Sequence, residues 1–244
     1  MKRLVQIAWL SGLSLAGSGM ALAAGPYVEI EGGYGWAEDA QISDRQGYLA
    51  PNCLICQPGD LNHLESGGLV GAAVGYRFSD YFRTDARFTY REGHDLSDHD
   101  IIDVNYKASV ESWAAMLSGY FDLPVSLGPV HPYIGGGIGW AWSTLSSIHQ
   151  KWTPGAGFPA GTQTDPGGDN SSFAWQAMFG LNYAVTSSFA VDVGYRHFYG
   201  GRIGTDNGTS VISFAGAAPF SYRSGGVNGY LRTDEVVASL RYSF

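Results

Sequence analysis

Charge, cysteine and long apolar runs are all scarce in this sequence. Only 15% of the 244 residues are charged, against about a quarter in an ordinary soluble domain. A surface built mainly to face water is therefore not expected. The 14 Lys and Arg are outnumbered by 22 Asp and Glu, for a formal net charge of -8. No basic cluster breaks that balance, which argues against nucleic acid as a partner. Beyond residue 23 no stretch contains the roughly 18 consecutive apolar residues of a membrane-spanning helix. A backbone that crosses lipid without helices must close its hydrogen bonds as a barrel.

What the sequence has in quantity is glycine, 35 residues, and aromatics, 14%. Its first segment reads as a secretory signal. Lys2 and Arg3 form a positive start, Leu4 to Ala16 is mostly apolar, and Ala21-Leu22-Ala23 is an A-x-A cleavage site. That core is too short and too interrupted for the ~20 residues of a spanning helix. Cleavage would leave residues 24–244 as one domain and, by removing Lys2 and Arg3, a net charge of -10.

The final stretch sets the pattern for the rest. Val236, Ala238, Leu240, Tyr242 and Phe244 alternate with Val237, Ser239, Arg241 and Ser243. Successive strand residues point to opposite faces, so this is a ribbon with one greasy and one mostly polar side. Seven earlier segments repeat it: Tyr27 to Trp36, Gly68 to Phe78, Tyr81 to Arg91, about Lys107 to Asp122, Pro132 to Trp142, Phe173 to Val185 and Phe189 to Tyr199. The third is the clearest, with Phe82, Thr84, Ala86, Phe88 and Tyr90 against Arg83, Asp85, Arg87, Thr89 and Arg91. A lipid-facing exterior and a polar lumen satisfy both sets. The fourth is weaker, since Ala114 and Met116 would point inward.

Connections of about 30, 15, 30 and 30 residues follow strands one, three, five and seven, and short ones follow two, four and six; short periplasmic turns and long extracellular loops have this asymmetry. The predicted fold is an all-β, eight-stranded, antiparallel up-and-down transmembrane barrel. Its last strand pairs back with Tyr27 to Trp36, where Arg241 would meet Glu29 or Glu31.

The run Phe173-Ala174-Trp175-Gln176-Ala177-Met178-Phe179-Gly180-Leu181-Asn182-Tyr183, then Val191-Asp192-Val193-Gly194-Tyr195-Arg196, resembles the small opacity-protein-like outer-membrane barrels of the porin family. Pro132-Tyr133-Ile134-Gly135-Gly136-Gly137-Ile138-Gly139 and Leu240-Arg241-Tyr242-Ser243-Phe244 fit the same family. It is related in architecture to the transmembrane domain of OmpA, without the peptidoglycan-binding domain that often follows there. The resemblance covers the strands and not the loops, which vary freely in such proteins. It implies a surface antigen of a Gram-negative outer membrane. It also implies insertion by the barrel-assembly machinery, which reads a terminal aromatic strand, here Leu240, Tyr242 and Phe244.

Glu29, Glu31, Arg77, Arg83, Asp85, Arg87, Asp192, Arg196 and Arg241 fall on lumen faces. An eight-stranded barrel has an interior just wide enough for side chains, so these charges are expected to form a bonded plug; a narrow ion path is the alternative. Cys53 and Cys56 lie in the first long connection of an exported chain, which favours a small disulfide over a redox or zinc motif. Gly135-Gly136-Gly137-Ile138-Gly139 lacks the helix and acidic partner of a nucleotide loop. His94-Asp95-Leu96-Ser97-Asp98-His99-Asp100 reads as a solvated acidic loop sooner than a metal site. Ser146 and His149 could start a lipid hydrolase but have no paired acid in sequence. No cofactor, metal site or catalytic set is expected. The function expected is structural or surface-interactive, with outer-membrane lipid as solvent and a host or matrix ligand for the loops. A small-solute pore and a lipid-modifying enzyme are the other readings.

Overall fold

The computed structural model describes residues 24–38, 43–44, 65–99, 104–125, 128–153 and 159–244. Among these there is no helix and there are thirteen strands: β1 (Gly25–Ala37), β2 (Ser43–Asp44), β3 (Gly67–Arg77), β4 (Phe82–His99), β5 (Val104–Asp122), β6 (Val130–Leu145), β7 (Ile148–Trp152), β8 (Gly161–Asp165), β9 (Gly168–Ala184), β10 (Phe189–Gly204), β11 (Gly208–Phe214), β12 (Phe220–Ser224) and β13 (Val227–Ser243). Eight of them close a barrel in the order β1, β3, β4, β5, β6, β9, β10, β13 and back to β1, each pair antiparallel. These are the eight segments whose alternation marks them as strands.

Alternation along each strand sorts the side chains as a lipid solvent demands. Ile30, Leu117 and Phe179 stand outward at 61%, 62% and 59% exposure, whereas Glu29 and Arg83 on the other face are 5% and 1% exposed. Two short turns reuse one device. Ser79 Oγ accepts from the amides of Tyr81 and Phe82. Thr186 Oγ1 accepts likewise from Ser188 and Phe189. A hydroxyl that holds the backbone amides two and three residues on makes a tight reversal.

The opposite end departs from expectation. β4 runs to His99 and β5 begins at Val104, so the second connection shrinks from about fifteen residues to positions 100–103. The third and fourth connections are hairpins, β7–β8 and β11–β12, not irregular loops. Thr162, Thr164, Thr209, Val211, Ile212 and Phe214 are the β-branched and aromatic types that favour strands, but in runs too short and polar to stand out as alternating. The hairpins continue the sheet sideways from the top of β5, in the order β5–β7–β8–β11–β12.

The glycine run in β6 has a steric role. Gly135, Gly137 and Gly139 point inward beside the side chains of Tyr120, Ser118 and Met116 on β5. A Cβ on Gly139 would lie 2.0 Å from the Ala115 carbonyl oxygen. In β10, Gly201 sits at φ 79 where the register with β13 slips past Tyr199, a bulge position that glycine accepts without strain. Gly139→Val is expected to lower the unfolding free energy by about 1–3 kcal/mol, the usual cost of forcing atoms into a filled space. Urea titration of the refolded barrel measures it, and an unchanged midpoint would refute the close approach.

Candidate functional site

The lumen holds two stacked layers. In the lower one, six arginines (Arg77, Arg83, Arg87, Arg91, Arg196, Arg241) face six carboxylates (Glu29, Glu31, Asp85, Asp122, Asp192, Glu235), all buried. Their charges cancel, as a low-dielectric interior requires.

The pairs run across the barrel. Near the short-turn end, Asp122 lies 2.8 Å from Arg77 and 3.4 Å from Arg83, and Arg83 also meets Asp192 at 3.4 Å. The Arg83 guanidinium lies over the Tyr120 ring, 4.1 Å from its centroid, with the Tyr133 ring at 5.0 Å. One level up, Arg87 contacts Glu29 at 2.7 Å, Asp85 at 2.8 Å, and Glu31. Higher still, Glu235 accepts from Arg91 at 2.6 Å, from Arg196 at 2.5 Å and from the Thr233 hydroxyl at 2.6 Å. Arg196 also donates to Glu31 at 3.0 Å. Arginine suits this layer because its planar fork engages two carboxylates at once and stacks on rings.

All nine charges predicted for the lumen are placed there. Arg91, Asp122 and Glu235 join them, each at a position whose parity already marks it inward. The expected partner of Arg241 is corrected. It faces Glu29 across the β1–β13 ladder, but its ion pair is with Asp192 at 3.5 Å, while Glu29 and Glu31 are drawn to Arg87.

The upper layer overturns the expectation of a polar lumen throughout. Val110, Ala114, Met116, Ala141, Leu145, Ala174, Phe198, Ile203 and Leu231 form an apolar cluster inside the barrel. Arg91 marks the boundary, its guanidinium 3.5 Å from the centroid of the Phe198 ring. Ala114 and Met116, which blur the alternation of β5, belong to this cluster. Inside the charged layer a void of about 30 Å³ touches Glu29, Glu31, Arg87, Tyr120 and Arg196, enough for a water or two and no larger solute.

Above the barrel the hairpins are tied by one carboxylate. Asp165 on β8 accepts from Gln150 on β7 at 2.9 Å, from Gln163 beside it at 2.9 Å, and from the Ser210 hydroxyl on β11. Gln163 also donates to the Tyr222 hydroxyl on β12 at 3.0 Å. One network thus crosses four strands.

The remaining candidates from the sequence fare variously. Leu240, Tyr242 and Phe244 all stand on the outer face, exposed. Ser146 and His149 are engaged apart: Ser146 Oγ accepts from the Ser109 amide at 2.8 Å, and His149 Nδ1 lies 3.2 Å from Thr164 Oγ1. His94 to His99 lie on the extension of β4 and not in a loop. The signal segment, Cys53, Cys56 and Asp100 lie outside the described residues. Glu235→Gln is expected to destabilise the barrel by about 3–5 kcal/mol, because Arg91 and Arg196 keep a buried charge and lose a carboxylate. Denaturant titration against Glu92→Gln, an exposed control, checks this.

Comparison with known proteins places this geometry. Residues 9–244 match the family model described as an outer membrane protein beta-barrel domain. An uncharacterized protein of Brucella abortus is 35% identical over 154 residues, covering 55% of this chain and 52% of that protein. An outer membrane protein of Gluconacetobacter diazotrophicus is 24% identical over 179 residues, covering 66% of this chain and 42% of that one. The chain therefore spans about half the length of the curated relatives it matches. Among solved structures, Neisserial surface protein A aligns with a TM-score of 0.48 and 17% identity, over 91% of this chain and 98% of that one. With the family model matched along nearly its whole length, the chain belongs to the outer-membrane β-barrel proteins, and its place is the bacterial outer membrane.

Proposed function

We propose that this barrel is a non-catalytic surface-interaction protein: an anchor whose lumen conducts nothing and whose working surface is the extracellular sheet. The observation that carries the reading is the double closure of the lumen, charged below and apolar above, beneath hairpins that extend the sheet of β5 into an ordered platform. A conduit needs a continuous wet path; the buried arginine layer and, above it, the apolar cluster of Phe198, Leu231 and Met116 among the described residues support a closed lumen. In this reading the chain is exported by a signal segment cleaved after Ala23. It is inserted by the barrel-assembly machinery through Leu240, Tyr242 and Phe244, and it presents a host- or matrix-binding surface on β7, β8, β11 and β12. Exposed Val211, Phe220 and Tyr222 on the outermost hairpin supply the apolar contact area that a protein interface requires.

Planar-bilayer recordings of the purified protein are expected to show no steady conductance; a stable open channel of porin size would sink the closed-lumen reading. Deletion of residues 208–224 removes β11 and β12 and spares β10 and β13, which a wider cut from Gly200 to Asn228 would shorten. Cells carrying the narrow deletion are expected to lose adhesion while the protein keeps its heat-modifiable, folded mobility. Adhesion equal to the parent's would refute the platform as the binding surface.

A further inference from the structure

Along β13 the lipid-facing positions are apolar from Phe244 up to Val236, and then the rule breaks at Asp234. Counted from Ser243, Asp234 is the tenth residue of the strand, and a barrel strand crosses the bilayer in about 9–11 residues. It therefore lies at the outer interface. Its row neighbours are Trp36 on β1 and His197 on β10. Charge facing lipid is costly at the midplane and tolerated near the interface, so this depth admits a polar cluster and leaves open why one is there.

The cluster is organised. Asp234 Oδ1 accepts from the Tyr195 hydroxyl at 2.5 Å and lies 2.8 Å from His197 Nδ1. The imidazole is held beside the Trp175 ring, centroids 5.3 Å apart. Glu38 continues β1 on the same outer face, and its amide donates to the Arg232 carbonyl at 3.0 Å, which fixes where its side chain begins. One ligand atom from each of Glu38, His197 and Asp234 lies within 4.8 Å of the others.

We propose that Glu38, His197 and Asp234 form a divalent transition-metal site of the zinc type, opening on the outer headgroup layer. An imidazole with two carboxylates suits zinc better than magnesium or calcium, which take all-oxygen sets. Two ionised carboxylates balance one divalent ion, while the neighbouring cation, Arg232, is directed over the Tyr199 and Tyr230 rings at 5.8 and 5.7 Å. Tyr195 keeps its bond to Asp234 and steadies that ligand, as outer-shell partners of metal sites do. Three protein ligands leave a fourth tetrahedral position for water or a lipid phosphate oxygen.

The test is calorimetric titration of zinc chloride into the full chain, refolded in detergent and stripped with chelator. His197→Tyr keeps an aromatic side chain at the girdle, and Glu38→Gln changes an exposed strand end. Both are first checked for heat-modifiable folding. The expected result is loss of one zinc equivalent, or at least about a tenfold weakening, in each variant, with His149→Ala binding as the parent does. Equal zinc stoichiometry and affinity in parent, His197→Tyr and Glu38→Gln would overturn the site, as would a parent that binds no zinc.

Discussion

Inside a bilayer no backbone amide can fall back on water, so each must bond to a neighbouring strand. The ladder between β1 and β13 completes that requirement. It runs from Tyr27 opposite Ser243 to Ala37 opposite Thr233, joining the first strand of the barrel to the last. The other seven pairings could all exist in an open sheet; this one removes the last edge. It also brings Glu29 and Glu31 on β1 into one lumen with Arg87 from β4 and Arg196 from β10, so the full set of ion pairs forms only once the ring has shut.

The lumen chemistry follows from that geometry. Arginines long enough to span a narrow barrel reach carboxylates far away in sequence: Arg91 meets Glu235 and Arg196 meets Glu31. These two guanidinium groups thereby link strands that are not neighbours in the ladder. Above them Phe198, Leu231 and Ile203 pack as a core packs in any protein. The barrel is held by two kinds of interior on one ring of hydrogen bonds.

Much of this is legible in the sequence, because period-two alternation reports which face a residue takes. Ile30, Leu117 and Phe179 declare lipid, and Glu29, Arg83 and Asp192 declare lumen. Face is not partner, however. Nothing in the alternation says that Arg241 reaches Asp192 on β10, since β13 has neighbours on both sides. Nor does inward parity say polar: Phe198 and Leu231 point into the lumen and are greasy. Arg91, Asp122 and Glu235 have inward parity, but parity alone does not bring them to the arginine and carboxylate partners they meet across the lumen. Asp165 carries no signal at all, because its four-strand network exists only after two hairpins from separate connections have met. Glu38, just past β1, His197 on β10 and Asp234 on β13 are far apart in sequence and converge only through register.

The pairing of β8 with β11 limits how such a surface can diversify. Loops on a barrel are commonly pictured as independent inserts, each free to lengthen or change. Here the third and fourth connections share one hydrogen-bonded sheet, so a register change in β8 misplaces Ser210 and Tyr222 on the next hairpin. Variation in the two connections must be concerted. A binding loop transplanted from a related barrel would have to bring β7, β8, β11 and β12 together, as a single cassette.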